Sequence, residues 1–152
     1  CYRERLPIAM FLIQQGADVN RAKNNGVTAL VMACKKGYLD VVRLLLQYGA
    51  DGVRNNGLIP IFIALRNGDL DVARLLLEYG VDVNLVHNRR ATPLSMVCKK
   101  GYLDAAQLLL EHGAKVKKRD MRIAQKHGHL DVARLLKRRL KRGLGWFKMC
   151  CA

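Results

Sequence analysis

No apolar run in these 152 residues is long enough to cross a membrane. A run such as Leu58 to Leu65 has eight residues and contains Pro60, and none is longer, against the ~18 to 20 that a spanning helix needs. Aromatic residues make up 6%, too few to give a stacking platform for unpaired bases. His87, His112, His127 and His129 have no cysteine or carboxylate at metal-ligand spacing, so they read as solvated surface histidines and no metal is expected. No glycine-rich loop runs into Lys-Ser or Lys-Thr, which removes the usual cradle for nucleotide phosphates. With no nucleophile, base and orienting group in any recognisable pattern, the chain reads as non-catalytic and without a cofactor. The fourth residue from the end is Met149 rather than cysteine, so the terminus is not a prenylation box.

What the chain does have is repetition. Cys34-Lys35-Lys36-Gly37-Tyr38-Leu39-Asp40 returns letter for letter as Cys98-Lys99-Lys100-Gly101-Tyr102-Leu103-Asp104. Weaker copies stand in register at Gly68-Asp69-Leu70-Asp71 and Gly128-His129-Leu130-Asp131. The opening glycines are spaced by 31, 33 and 27 residues, and a second series, Gly16, Gly49, Gly80 and Gly113, runs beside them. A period near 33 marks a solenoid of stacked layers rather than one closed core.

One layer can be read from Val27 to Asp51. Thr28 precedes the apolar run Ala29 to Cys34, a short helix opened by a hydroxyl cap. Gly37 stops it. From Leu39 a second helix places Val41, Val42, Leu44, Leu45 and Leu46 on a wide apolar face and leaves Asp40, Arg43 and Gln47 to water. Gly49 closes that helix, and Asn55-Asn56-Gly57 is hairpin-style turn chemistry. The aspartates Asp40, Asp71, Asp104 and Asp131 fall in first turns, where a carboxylate favours the positive end of the helix dipole.

Several of these motifs together resemble ankyrin repeats. Ala91-Thr92-Pro93-Leu94 and Gly16-Ala17-Asp18-Val19-Asn20 are the best letters, supported by Val41 to Leu46 and Val72 to Leu77. The resemblance implies an all-α ankyrin-repeat solenoid of helix-turn-helix units joined by hairpin-like loops, acting as a protein-protein interaction module. Where the family has His after Thr-Pro-Leu, this chain has Val31, Phe62, Ser95 and Arg122, and Ile59 replaces the threonine in one unit. Loss of that local hydrogen-bond pair predicts a softer array.

The layers divide the chain into a partial unit at 1–22, full units at 23–53, 54–86 and 87–113, a shortened unit at 114–142 and a basic, aromatic tail at 143–152. Cys1 aligns with Cys34 and Cys98, so the expectation is a neighbouring piece of array before it. The five cysteines do not form a disulfide framework. Cys34 and Cys98 would lie two layers apart in one stack, beyond the ~7 Å limit for bridging, and read as reduced core residues of a cytosolic or nuclear protein.

Charge is distributed unevenly. Residues 1 to 114 carry 14 Lys plus Arg against 10 acids, and residues 115 to 152 carry 13 against 2, so the net +15 splits into +4 and +11. In ankyrin arrays the concave partner-facing surface is lined by residues before the inter-helix glycine and by hairpin tips. The first set here is Lys35-Lys36, Arg66-Asn67, Lys99-Lys100 and Lys126-His127; the tips are Lys23-Asn24-Asn25, Arg54-Asn55-Asn56 and Asn88-Arg89-Arg90. A solvated polar face and an electropositive groove for an acidic segment of a protein partner both fit that stripe. The second is favoured, because a ladder of like charges repels itself unless something negative sits on it. A monomer is expected, with nucleic acid the lesser alternative as a partner.

The segment Lys137, Arg138, Arg139, Lys141 and Arg142, followed by Trp146, Phe147, Cys150 and Cys151, permits three readings. It can be a charged cap that prolongs the last helix. It can be a nuclear import signal. It can also be a membrane attachment made of aromatic insertion, basic charge and acylation, which would make the chain a membrane- or nucleic-acid-associated adaptor.

Overall fold

In a computed structural model of the chain, the described residues are 5–24, 26–51, 59–87 and 91–149, with side chains described as far as residue 141. The chain forms two compact bodies, Cys1–Asp82 and Val83–Ala152. The first contains α1 (Arg5–Gln14), α2 (Ala29–Lys36), α3 (Leu39–Gln47), α4 (Pro60–Asn67) and α5 (Leu70–Glu78). The second contains α6 (Pro93–Lys100), α7 (Leu103–Glu111), α8 (Lys118–Lys126) and α9 (Leu130–Met149). Among the described residues there is no strand, only an isolated antiparallel bridge between His87 and Ala91. The architecture is the all-α repeat solenoid expected from the sequence.

Each layer pairs a first helix with a second: α2 on α3 and α4 on α5 in the first body, α6 on α7 and α8 on α9 in the second. Layers join like to like. First helices pack on first helices (α2 on α4, α6 on α8), and second helices on second helices (α1 on α3 on α5, α7 on α9).

The helix starts follow from local chemistry. Thr28 caps α2, its hydroxyl accepting from the Val31 N–H at 3.4 Å. Ile59 offers α4 no such bond, but Pro60 at the first helical position supplies the preset φ. In α6 the expected loss of a hydrogen-bond pair does not occur. Thr92 N–H donates to Ser95 Oγ at 2.9 Å and Ser95 N–H donates to Thr92 Oγ1 at 3.2 Å, a reciprocal capping box in which serine replaces the family's histidine. The corresponding position in α8 is Asp120 rather than Arg122, because α8 starts earlier relative to Gly128 than α2 does relative to Gly37. Asp120 is buried and accepts from the Lys117 N–H at 2.9 Å.

The core of each body is the apolar spine of these helices. Val42, Leu45, Ile61, Leu65 and Leu76 fill the first, and Leu94, Val97, Leu109, Val132 and Leu136 the second. α1 differs from the other second helices: it buries no residue, and among the described residues no first helix covers it. Phe11 and Leu12 are 59% and 51% exposed, whereas Leu44 and Leu45 at the matching positions of α3 are 7% and 4% exposed. α9 runs on to Met149, taking Gly143 and Gly145 into the helix.

Substituting Leu45→Ala or Leu76→Ala is therefore expected to cost about 2–5 kcal/mol through the cavity left between helices. Phe11→Ser should change stability by no more than ~0.5 kcal/mol. Chemical denaturation of the three variants checks the contrast, and tolerance of both leucine changes would contradict the assigned faces.

Candidate functional site

The candidate site is built at the turns between first and second helices. Lys35 and Lys36 form the last turn of α2, Arg66 and Asn67 that of α4, Lys99 and Lys100 that of α6; all are exposed. Lys126 ends α8 and His127 caps it, also exposed. Cations belong there because the helix dipole is negative at that end. Glycine then lets the chain turn back: Gly37 has φ 67°, and its N–H reaches the carbonyls of Ala33 and Cys34.

Hydrogen bonds between layers fix these turns. In the first body Asn67 Nδ2 donates to the Lys35 carbonyl at 3.3 Å. In the second, His129 Nε2 lies 3.2 Å from the Lys99 carbonyl, which can only accept, so Nε2 carries the proton. His129 is thus a structural contact rather than the solvated residue expected. Its ring also covers Gly101: a Cβ added there would lie 2.3 Å from His129 Nδ1. At Gly37 the neighbour is the Asp69 carboxylate, 3.3 Å from the same hypothetical atom.

A second pair of clamps operates at the loop end of the layers. Asn20 accepts from the Asp51 N–H at 2.7 Å and donates to the Gly49 carbonyl at 3.1 Å. Asn84 repeats this, accepting from Lys115 N–H at 2.8 Å and donating to Gly113 O at 3.4 Å. The sequence signal for both is an asparagine four residues after Gly16 and Gly80.

Each body brings part of the expected site together. In the first, Lys35, Lys36 and Arg66 share the turn end with the carboxylates Asp40, Asp69 and Asp71. In the second, Lys99, Lys100, Lys126 and His127 meet two first-turn carboxylates, Asp104 and Asp131, which leaves that end the more positive. Tyr38 and Tyr102, which the sequence reading did not connect with the lysines, follow directly at the N-caps of α3 and α7. Tyr102 is exposed, while Tyr38 is held by the Arg5 guanidinium, which stacks 4.7 Å from its ring centre and hydrogen-bonds its hydroxyl.

Of the expected hairpin tips, Lys23 and Asn24 are exposed on a turn in which Gly26 N–H donates to Lys23 O at 2.8 Å. Asn25, Arg54, Asn55, Asn56, Asn88, Arg89 and Arg90 lie outside the described residues. In the basic segment Lys137, Arg138 and Lys141 are exposed, and the side chain of Arg142 lies outside the described set. Arg139 is exposed too, yet its Nη2 donates to the Leu110 carbonyl at 3.0 Å, capping the end of α7. Among the described residues no cluster of His, Cys, Asp or Glu could hold a metal ion, and no helix is long and apolar enough to cross a membrane.

Cys34 and Cys98 are free and buried. Burial pushes each thiol up to about 12, reinforced by the negative charge of Asp69 at Cys34 and of Asp120 at Cys98.

Layered helix-turn-helix units, clamped through their turns and exposing charged helix ends, define a stacked-repeat protein. A family profile described as ankyrin repeats, three copies, matches residues 1–56 and 52–120. The chain belongs to the ankyrin-repeat family, whose members are in general protein-protein interaction modules. It is 45% identical over 47 residues to ankyrin repeat domain-containing protein 63 of Homo sapiens, covering 31% of this chain and 12% of that protein. To the Mus musculus protein of the same name it is 50% identical over 40 residues, covering 26% and 10%. The matched stretch thus spans about a tenth of those relatives' length.

Two outcomes follow from the geometry. Gly101→Ala combines a positive φ, worth ~1–2 kcal/mol against a side chain, with a collision against the His129 ring. Gly68→Ala meets only the first cost, since nothing lies within 4 Å of its added Cβ. Melting curves should rank Gly101→Ala as the more damaging, and His129→Ala in the same background should recover part of the loss.

The thiols supply the other outcome. The ionised form of Cys34 and Cys98 is suppressed in the folded state, so both should label with a maleimide at least ~100-fold more slowly in buffer than in urea, read by peptide mass mapping. The linkage has the matching sign: because the folded value is raised, stability from these groups is intact below the unfolded value near 9 and is lost as pH climbs toward about 12.

Proposed function

We propose that the chain is a non-catalytic scaffold or adaptor module that takes an acidic segment of a protein partner on the basic turn end of its layers. The observation that carries this reading is the set of exposed lysines, Lys35, Lys36, Lys99 and Lys100, on turns whose backbone is already fixed by left-handed glycines and interlayer hydrogen bonds. Cations on a prearranged backbone bind with little further ordering cost. The second body is the stronger site, because fewer carboxylates accompany its lysines and the exposed Tyr102 stands beside them. The module acts as a monomer in the cytosol or nucleus, a setting that suits two buried free thiols.

Isothermal titration with a synthetic peptide rich in Glu and Asp tests this. Binding should weaken with salt but persist near ~0.15 M. Lys99→Gln with Lys100→Gln should weaken it about 5-fold, the scale of two exposed ion pairs, and Lys35→Gln with Lys36→Gln by less. Equal affinity of both double variants and the wild type would refute the assignment.

A further inference from the structure

The last two helices turn a further set of cations to solvent. In α8, Lys118, Arg122 and Lys126 stand at i, i+4 and i+8, all exposed, while the opposite side buries Asp120 and Ala124. In α9, Arg134, Lys137, Arg138 and Lys141 stand at i, i+3, i+4 and i+7, all exposed, opposite buried Val132, Ala133 and Leu136. Residues at those spacings share one helix face. Each helix therefore carries a stripe of one sign along its water-facing side, and the two helices pack on each other.

Solubility does not demand such stripes. The exposed side of α7, the second helix of the preceding layer, carries Asp104, Gln107 and Glu111 and is equally solvated without a single cation. Like charges at i, i+4 destabilise a helix slightly, so the pattern works against folding. The nearest acids offset it only in part: Asp120 is buried on the opposite side of α8, and Asp131, exposed in the first turn of α9, neighbours Arg134 alone among the α9 stripe.

We propose that these two stripes, each on its own helix, dock the phosphate backbone of double-stranded nucleic acid without reading its sequence. Four cations fall within ~11 Å of α9, a linear density suited to a duplex that carries one charge per ~1.7 Å of its axis. Phosphate contacts from lysine and arginine position a protein on a duplex but carry no base information. A single strand is disfavoured because no aromatic residue lies among the stripe positions. A membrane surface is disfavoured because Leu130 alone, among the described side chains of α8 and α9, is a large apolar residue exposed beside the stripes, whereas interfacial helices bury a row of such residues. The site shares Lys126 with the turn end but none of the lysines of α2 and α6, so variants that leave Lys126 in place test it independently of the acidic-segment reading.

The test is fluorescence anisotropy of the full chain with a labelled DNA duplex of arbitrary sequence, titrated across salt. The logarithm of the binding constant should fall with the logarithm of salt with a slope of about −4 to −6. Neutralising Arg134, Lys137, Arg138 and Lys141 to Gln should make the slope shallower by about 2–3, and Lys118→Gln with Arg122→Gln by about 1–2. Lys99→Gln with Lys100→Gln should leave it unchanged. Circular dichroism melts check folding; if the fourfold variant unfolds, the α8 double variant decides alone. Three results would overturn the proposal: no duplex binding at about 50 mM salt, a slope indifferent to both stripes, or capture by phosphatidylserine-containing vesicles through these residues in place of the duplex.

Discussion

Everything in this protein depends on contact between layers, because no layer can bury its own apolar surface. A helix pair of eight and nine residues, such as α2 with α3, presents leucines and valines on more faces than one partner helix can cover. An isolated helix of that length is marginal in water. What makes Leu45, Leu65 and Leu76 a core is that, within the first body, α2 lies across α4 and α3 across α5. α1 shows the same rule from the other side: with a second-helix neighbour in α3 but no first helix over it among the described residues, its Ile8, Phe11 and Leu12 remain exposed.

Apolar stacking is non-directional, so it does not by itself hold layers in register. The hydrogen bonds do that. Asn20 and Asn84 each give a donor and an acceptor to the loop of the next layer, and Asn67 and His129 each reach a lysine carbonyl at the turn end. A bond to a main-chain carbonyl fixes where the backbone runs while leaving the side chain of the bonded residue free. Lys35 and Lys99 can therefore be anchored through their carbonyls and still present their ammonium groups to water.

Features that depend on neighbours in sequence were legible without a structure. The Thr28 cap, the glycine stops at Gly37 and Gly68, and the first-turn aspartates follow from φ, the dipole and orphan backbone groups, all set within a few residues. Features that depend on a residue about 30 positions away were not. Nothing near His129 announces that its ring belongs to Gly101 and Lys99, or near Arg139 that it caps α7. Counting back from Gly128 gave Arg122 the capping position, because that count assumes a helix as short as α2; α8 begins earlier and places Asp120 there instead. Gly143 and Gly145 do not interrupt α9, since each costs only ~1 kcal/mol in a helix interior and no proline reinforces them.

The surface positions that remain after stacking, capping and turning have been satisfied are the ones where the sequence is free to vary, and there the layers diverge. The second helices α5 and α7 offer water mixed or acidic faces, whereas α9 offers a cationic one. The buried acid of the last layer, Asp120, accepts from the Lys117 N–H and lies close enough to Cys98 to raise its thiol, so it makes no surface ion pair with the exposed cations. A protein whose stability comes from a repeating interior can place an unbalanced charge on one layer at small cost, because the interior contacts are indifferent to it. The same separation leaves the apolar interior undisturbed by whichever side chains the turn ends and the outer faces of α8 and α9 carry.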